Sequence, residues 1–187
     1  MTAELRSVQA ALAAAAAGNP AADGPAPKDV AKAVAFGLRS TANRPQTVAE
    51  ITTKLHSRFD DGAVVEAAVA QLVDIGALDD VAFARMWVED RGRRRSYGVA
   101  RLRQELTRRQ VPDAVAELAL ADLEDRDEAK TAMELARKRV AAMPGRLEPD
   151  AVARRLQAYL MRRGYGAGLA NRVAIDVSGL DRLRNWD

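Results

Sequence analysis

A spacing of apolar residues recurs along this chain. From Leu106 the sequence passes to Val111, Val115, Ala119 and Leu123, and from Leu160 it passes to Tyr165, Leu169, Val173 and Val177 at the same intervals. The stretch from Leu55 to Val65, Val69 and Val73 follows the pattern with one extra residue. Steps of four place side chains on one face of a helix, so each stretch reads as the end of one helix, a turn and a second helix. A supersecondary unit of this length cannot bury much core alone, so successive copies should stack. The expected fold is all-α: an elongated, curved array of tandem three-helix repeats, with a compact bundle as the alternative.

The first copy is expected over residues 28–78. Val30, Val34 and Leu38 give a short amphipathic helix ending around Ser40 to Pro45. Thr47 and Glu50 stand at the spacing of a capping box and open a second helix with Ile51 and Leu55 on its apolar face. Asp60, Asp61 and Gly62 open a third, with Val65, Val69, Leu72 and Val73 on one side and Gly76 as its stop. The second copy, residues 79–125, carries Phe83 and Trp87 on its first helix and Leu102 and Leu106 on its second. Its third helix starts at Val111-Pro112-Asp113, with proline expected at the first helical position. Residues 126–187 hold the third copy and a C-terminal tail. There a helix from Ala129 to Ala142 breaks at Pro144-Gly145, a second from Pro149 carries Val152, Leu156 and Leu160 to a stop at Gly164, and a third carries Leu169, Val173 and Val177. Residues 1–27 read as a flexible tail: AALAAAAA favours helix, GNPAADGPAP a linker, and the positive start of a secretory signal is missing.

Composition narrows the chemistry. Without cysteine there is no disulfide framework, thiol nucleophile or cysteine-based zinc site, and the single histidine, His56, reads as a solvated helix residue. The sequence has no phosphate loop of the G-x-x-x-x-G-K-[ST] type, no G-x-G-x-x-G after a strand and no H-E-x-x-H. A non-enzymatic protein without cofactor or metal is therefore expected. The apolar runs are too short to cross a bilayer, and the expected location is the cytoplasm.

Charge supplies the functional signal. The net charge is only +3, but its sign alternates in blocks. Nine arginines face three carboxylates between Val81 and Gln110, eight carboxylates face two cations between Asp113 and Ala136, and eight cations face two carboxylates between Arg137 and Arg163. Such blocks suit oriented binding of a charged partner, although pairing along solvated helix faces is the plainer reading. The densest cluster lies between Leu78 and Leu106. There Asp79 or Asp80 caps a helix, Phe83 and Trp87 share its packed face, and Arg91, Arg93, Arg94 and Arg95 form a basic connector. Tyr97-Gly98 then turns the chain into the next helix. Arg101, Arg108 and Arg109 extend the cluster, and Arg154, Arg155, Arg162 and Arg163 occupy the corresponding helix of the third copy. A phosphate backbone or an acidic protein groove would satisfy these cations.

The residues resemble the bacterial RecX regulatory proteins, which act on the RecA recombinase. The resemblance centres on Gly76-x-Leu78-Asp79-Asp80-x-x-Phe83-Ala84-x-x-Trp87, then Arg91, Tyr97-Gly98 and Arg101-Leu102-x-x-Glu105-Leu106, and extends from about Val34 to Val177. It implies tandem three-helix repeats and a protein that lies in the groove of the RecA filament on single-stranded DNA. There RecX proteins suppress ATP hydrolysis, strand exchange and coprotease activity, and so modulate recombination, DNA repair and the SOS response. A protein of this kind is expected to be a monomer when free. The chain departs from the pattern at Gln110-Val111, where glycine is common before the aliphatic residue, and at Gln46, where arginine is frequent. The rival reading is a basic helical-repeat DNA-binding protein that acts independently of RecA.

Overall fold

In the computed structural model, residues 24–180 are described, apart from 124 and 146. The expected N-terminal tail falls largely outside them. Among the described residues there are nine α-helices and no strand: α1 (Pro27–Asn43), α2 (Val48–His56), α3 (Gly62–Asp74), α4 (Asp80–Val88), α5 (Val99–Arg108), α6 (Asp113–Ala121), α7 (Glu128–Ala141), α8 (Pro149–Arg162) and α9 (Ala167–Ser178). The all-α expectation holds. The chain divides into two compact units, one ending at Phe83 and one starting at Ala84.

The first unit packs α1, α2 and α3 around Val30, Val34, Ile51, Leu55, Val65 and Leu72. The capping box at α2 is present: Thr47 Oγ1 accepts from Glu50 N, and the Glu50 carboxylate accepts from Thr47 N. Asp61 caps α3 by accepting from Ala63 N. The apolar side of α3 differs from the expected one. Val64, Val65, Ala68 and Leu72 are buried, whereas Val73 is 44% exposed, because the buried face follows a 3.6-residue period that strict steps of four overrun. Gln46 is buried, donating to Ser40 O and accepting from Lys54 Nζ, so this position is a joint inside the fold.

The second unit contains two helix triads, α4 (from Ala84 onward) to α6 and α7 to α9. The latter has its own core of Ala132, Ala136, Leu156, Leu160, Tyr165 and Val173. Pro149 opens α8 at its first turn as expected, but Pro112 sits one position before α6, at its N-cap. The φ of Pro112 is −54° and its ψ is 138°, an extended ψ that keeps it outside the helix.

Three helices end in the same way. After α3 the backbone turns left-handed at Gly76 (φ 70°), with Gly76 N donating to Val73 O and Ala77 N to Leu72 O. After α8 it does so at Gly164 (φ 91°), with Gly164 N donating to Met161 O and Tyr165 N to Leu160 O. After α5 the turn falls on Gln110 (φ 57°), with Gln110 N donating to Thr107 O and Val111 N to Leu106 O. Each is a Schellman closure. Leu106-Gln110-Val111 and Leu160-Gly164-Tyr165 are therefore equivalent in backbone as well as in spacing.

Candidate arginine–aromatic interface

The basic connector is helical. Glu89–Arg94 continues α4 as a π-helix, and its widened turn holds buried Gly92, where an added Cβ would lie 2.8 Å from Leu123 Cδ1 and 3.2 Å from Leu102 Cδ1. π-Turns inside α-helices are frequent at functional sites. Like charges this close repel, and the repulsion is answered locally. Arg93 pairs with Glu89 at 3.3 Å and with Asp125 at 3.5 Å, and donates to Asp122 O at 2.6 Å. Arg95 pairs with Asp90 at 3.2 Å. Arg94 is exposed and makes no side-chain hydrogen bond or ion pair among the described residues.

Inside this shell lies a cluster built on one carboxylate. Glu105 accepts from the indole N–H of Trp87 at 3.1 Å and from Arg101 Nε at 3.0 Å, and its second oxygen lies 3.5 Å from Arg91 Nε. The guanidiniums of Arg91 and Arg109 stack on Trp87, at 3.8 and 4.1 Å from the ring centroid. Trp87 is only half-buried, so the expectation of a packed core residue is corrected: two guanidiniums cover its ring. Phe83, one turn earlier, is buried as expected. The side chain of Glu105 is 16% exposed and that of Arg91 24% exposed, so their attraction acts in a partly dry setting.

The cluster continues into the joint between the two triads. Gly98 N donates to Arg163 O at 2.8 Å, Arg101 Nη1 to Arg162 O at 3.0 Å, Arg163 Nη1 to Arg95 O at 2.7 Å and the Tyr165 hydroxyl to Ser96 O at 2.9 Å. Tyr97 is stacked by Arg101 at 3.9 Å and Arg163 at 5.2 Å. Burial of Tyr165 pushes its hydroxyl up to about 12 and keeps it a neutral donor. Arg126 closes the back of the joint, donating to Gly92 O and Tyr97 O. In sequence Arg126 is one of only two cations in an acidic block, and that scarcity is the signal that could have found it.

The candidate arginines thus separate into two groups. Arg91, Arg101, Arg109 and Arg163 are half-buried and built into the cluster and joint. Arg93, Arg94, Arg95, Arg108, Arg154, Arg155 and Arg162 are exposed, with Arg154 paired to Asp150. Arg154 and Arg155 stand about two turns before Arg162 and are not brought into the joint. Leu102 and Leu106 are fully buried, and Gly98 is the N-cap of α5. Asp79 and Asp80 divide the work expected of either one. Asp79 caps α4 by accepting from Val81 N and Ala82 N, while Asp80 accepts from Val48 N at the start of α2. Among the described residues no group of three or more His, Cys, Asp or Glu side chains could hold a metal ion, and no helix is long and apolar enough to cross a membrane.

Models of the second and third three-helix domains of RecX match residues 79–120 and 126–174. The chain is 37% identical over 157 residues to the regulatory protein RecX of Thermobifida fusca (81% of this chain, 84% of that protein). It is 32% identical over 162 residues to its counterpart in Streptomyces coelicolor (84% and 86%). The crystal structure of RecX from Lactobacillus salivarius has the same fold, with a TM-score of 0.66 at 18% identity, covering 80% of this chain and 97% of that one.

Proposed function

The chain belongs to the RecX family of regulatory proteins, and from that premise we propose that it is a negative regulator of RecA, binding the filament on single-stranded DNA along its helical groove. Bound there, it lowers ATP hydrolysis, strand exchange and coprotease activity, acting in the cytoplasm as a non-enzymatic monomer. The observation that carries the reading is the division of the arginines. Of the inner ones, Arg101 and Arg163 join the two helix triads while Arg91 and Arg109 cover Trp87 within one of them, and the outer ones, foremost Arg94, Arg108, Arg155 and Arg162, stand exposed without a hydrogen-bond or ion-pair partner among the described residues. Exposed guanidiniums on a fixed frame suit a partner with regularly placed negative charge.

A strand-exchange assay tests it. Added to preformed RecA filaments, the protein should slow exchange at concentrations comparable to RecA. Undiminished exchange with this protein visibly bound to bare DNA would favour the independent DNA-binding reading, which the same exposed arginines support.

A further inference from the structure

Beside the joint a cleft of ≈ 470 Å³ opens between one face of α5 and the end of α8, and its walls include Arg101, Gln104, Glu105, Arg108, Met161 and Arg162. Its only carboxylate is already engaged: one oxygen of Glu105 accepts from Arg101, and the other accepts from Trp87 and faces Arg91. Arg108 and Arg162 are exposed, and neither guanidinium has a hydrogen-bond or ion-pair partner among the described residues, in contrast to Arg93, Arg95, Arg103 and Arg154. They hold the same position in their triads, two residues after Leu106 and two after Leu160.

Their placement is set by the backbone. Arg101 Nη1 holds Arg162 O at 3.0 Å, so Arg162 starts from the Arg101 end of the cleft. Arg108 lies seven residues further along α5, about 10 Å at 1.5 Å per residue. Between them the cleft offers the exposed Gln104 amide and the thioether of Met161, which is 49% exposed. Cations flanking an amide and a soft apolar surface suit a nucleic-acid strand, whose charged phosphates are separated by uncharged nucleosides. A lone carboxylate would occupy one arginine and leave the rest of the cleft unfilled.

We propose that this cleft binds the phosphodiester backbone of single-stranded DNA, the strand that the filament carries in the reading above. The inference rests on that reading for the identity of the strand alone. An arginine in the last turn of a helix also complements the helix dipole. That role needs no cleft and no DNA.

The test compares the unaltered protein, an Arg108→Ala/Arg162→Ala double variant and an Arg137→Ala/Lys138→Ala double variant that removes the same charge from exposed positions on α7. Each is titrated with a fluorescein-labelled oligothymidylate between about 50 and 200 mM salt, after its helix content and melting temperature are matched to the unaltered protein. The cleft variant should bind at least about tenfold more weakly, and its slope of log affinity against log salt should fall by about 1.4, the counterion release of two single-strand phosphate contacts. The α7 variant should keep nearly all of its affinity. Equal losses in the two variants, or no binding of bare strand by the unaltered protein at the lowest salt, would overturn the assignment. So would a cleft variant that keeps its affinity for DNA but loses inhibition of RecA, which would assign the cleft to an acidic protein surface. Failure of the RecA reading shows separately, as undiminished ATP hydrolysis with the unaltered protein.

Discussion

At the scale of single residues, Gln110 and Asp80 carry a conformation and a charge that their settings do not favour. Gln110 holds the left-handed turn that glycine takes at Gly76 and Gly164. A side chain there costs roughly 1 kcal/mol or more, so Gln110→Gly should raise stability by about 1 kcal/mol, read as a higher urea midpoint at unchanged slope. Asp80 carries a different cost. Burial raises its carboxyl above the usual aspartate range, opposed by the bond from Val48 N and reinforced by Asp79 and Glu50. A folded-state value above the unfolded one means that the protonated form is favoured on folding. That contribution is present below the unfolded value and is lost as pH rises through the folded one. Asp80→Asn keeps an acceptor for Val48 N without the charge, so its stability relative to the unaltered protein should improve as pH rises from the acid range. Asp80→Ala, which leaves Val48 N without that partner, should be the less stable variant by about 1 kcal/mol in urea melts. The Gln110 turn could be read from the repeat spacing. The contact of Asp80 with Val48 could not, because it joins residues 32 apart in sequence.

At the scale of elements, the Leu78 to Leu106 stretch shows what local pattern reveals and what it conceals. The helix starts, the i,i+4 aromatic pair and the break at Gly98 follow from short-range rules, and the structure keeps them. The π-helix was hidden, since its widened turn depends on Gly92 packing against Leu102 and Leu123. Glu105 was hidden as well, one acidic residue among many in sequence but the acceptor for Trp87 and Arg101 in space. Glu105→Gln keeps the size but removes the charge beside the guanidiniums of Arg91 and Arg101, and should lower the melting temperature more than the exposed, singly paired Asp150→Asn does. Trp87→Ala should cost less than the about 3–5 kcal/mol of a fully buried tryptophan, since the ring is half-buried and its neighbours are cations that water can solvate. Both differences can be read by calorimetry.

At the scale of the molecule, the second unit is a pair of triads fastened by backbone polar groups, arginines and two closely opposed glycines. A methyl group on Gly98 would meet Gly164 O at 2.3 Å, and one on Gly164 would meet Arg101 Cβ at 2.4 Å and Arg101 N at 2.6 Å. Gly98→Ala should therefore weaken the joint while leaving the core of the third triad intact, which hydrogen exchange would show as lost protection at Gly98 and Leu102 with Leu160 and Val173 retained. The repeat was legible in the sequence because its spacing repeats. The joint was not, because it pairs backbone atoms 65 residues apart, Gly98 with Arg163, and such pairings carry no periodic signal. The central claim is that the exposed arginines on this frame act against a RecA filament. Its most direct test is RecA's ATP hydrolysis on single-stranded DNA, titrated with this protein while bare-DNA affinity is measured in the same buffer. The account predicts inhibition well below the concentration that coats the DNA. Inhibition only at DNA-saturating concentrations, or none, would contradict it.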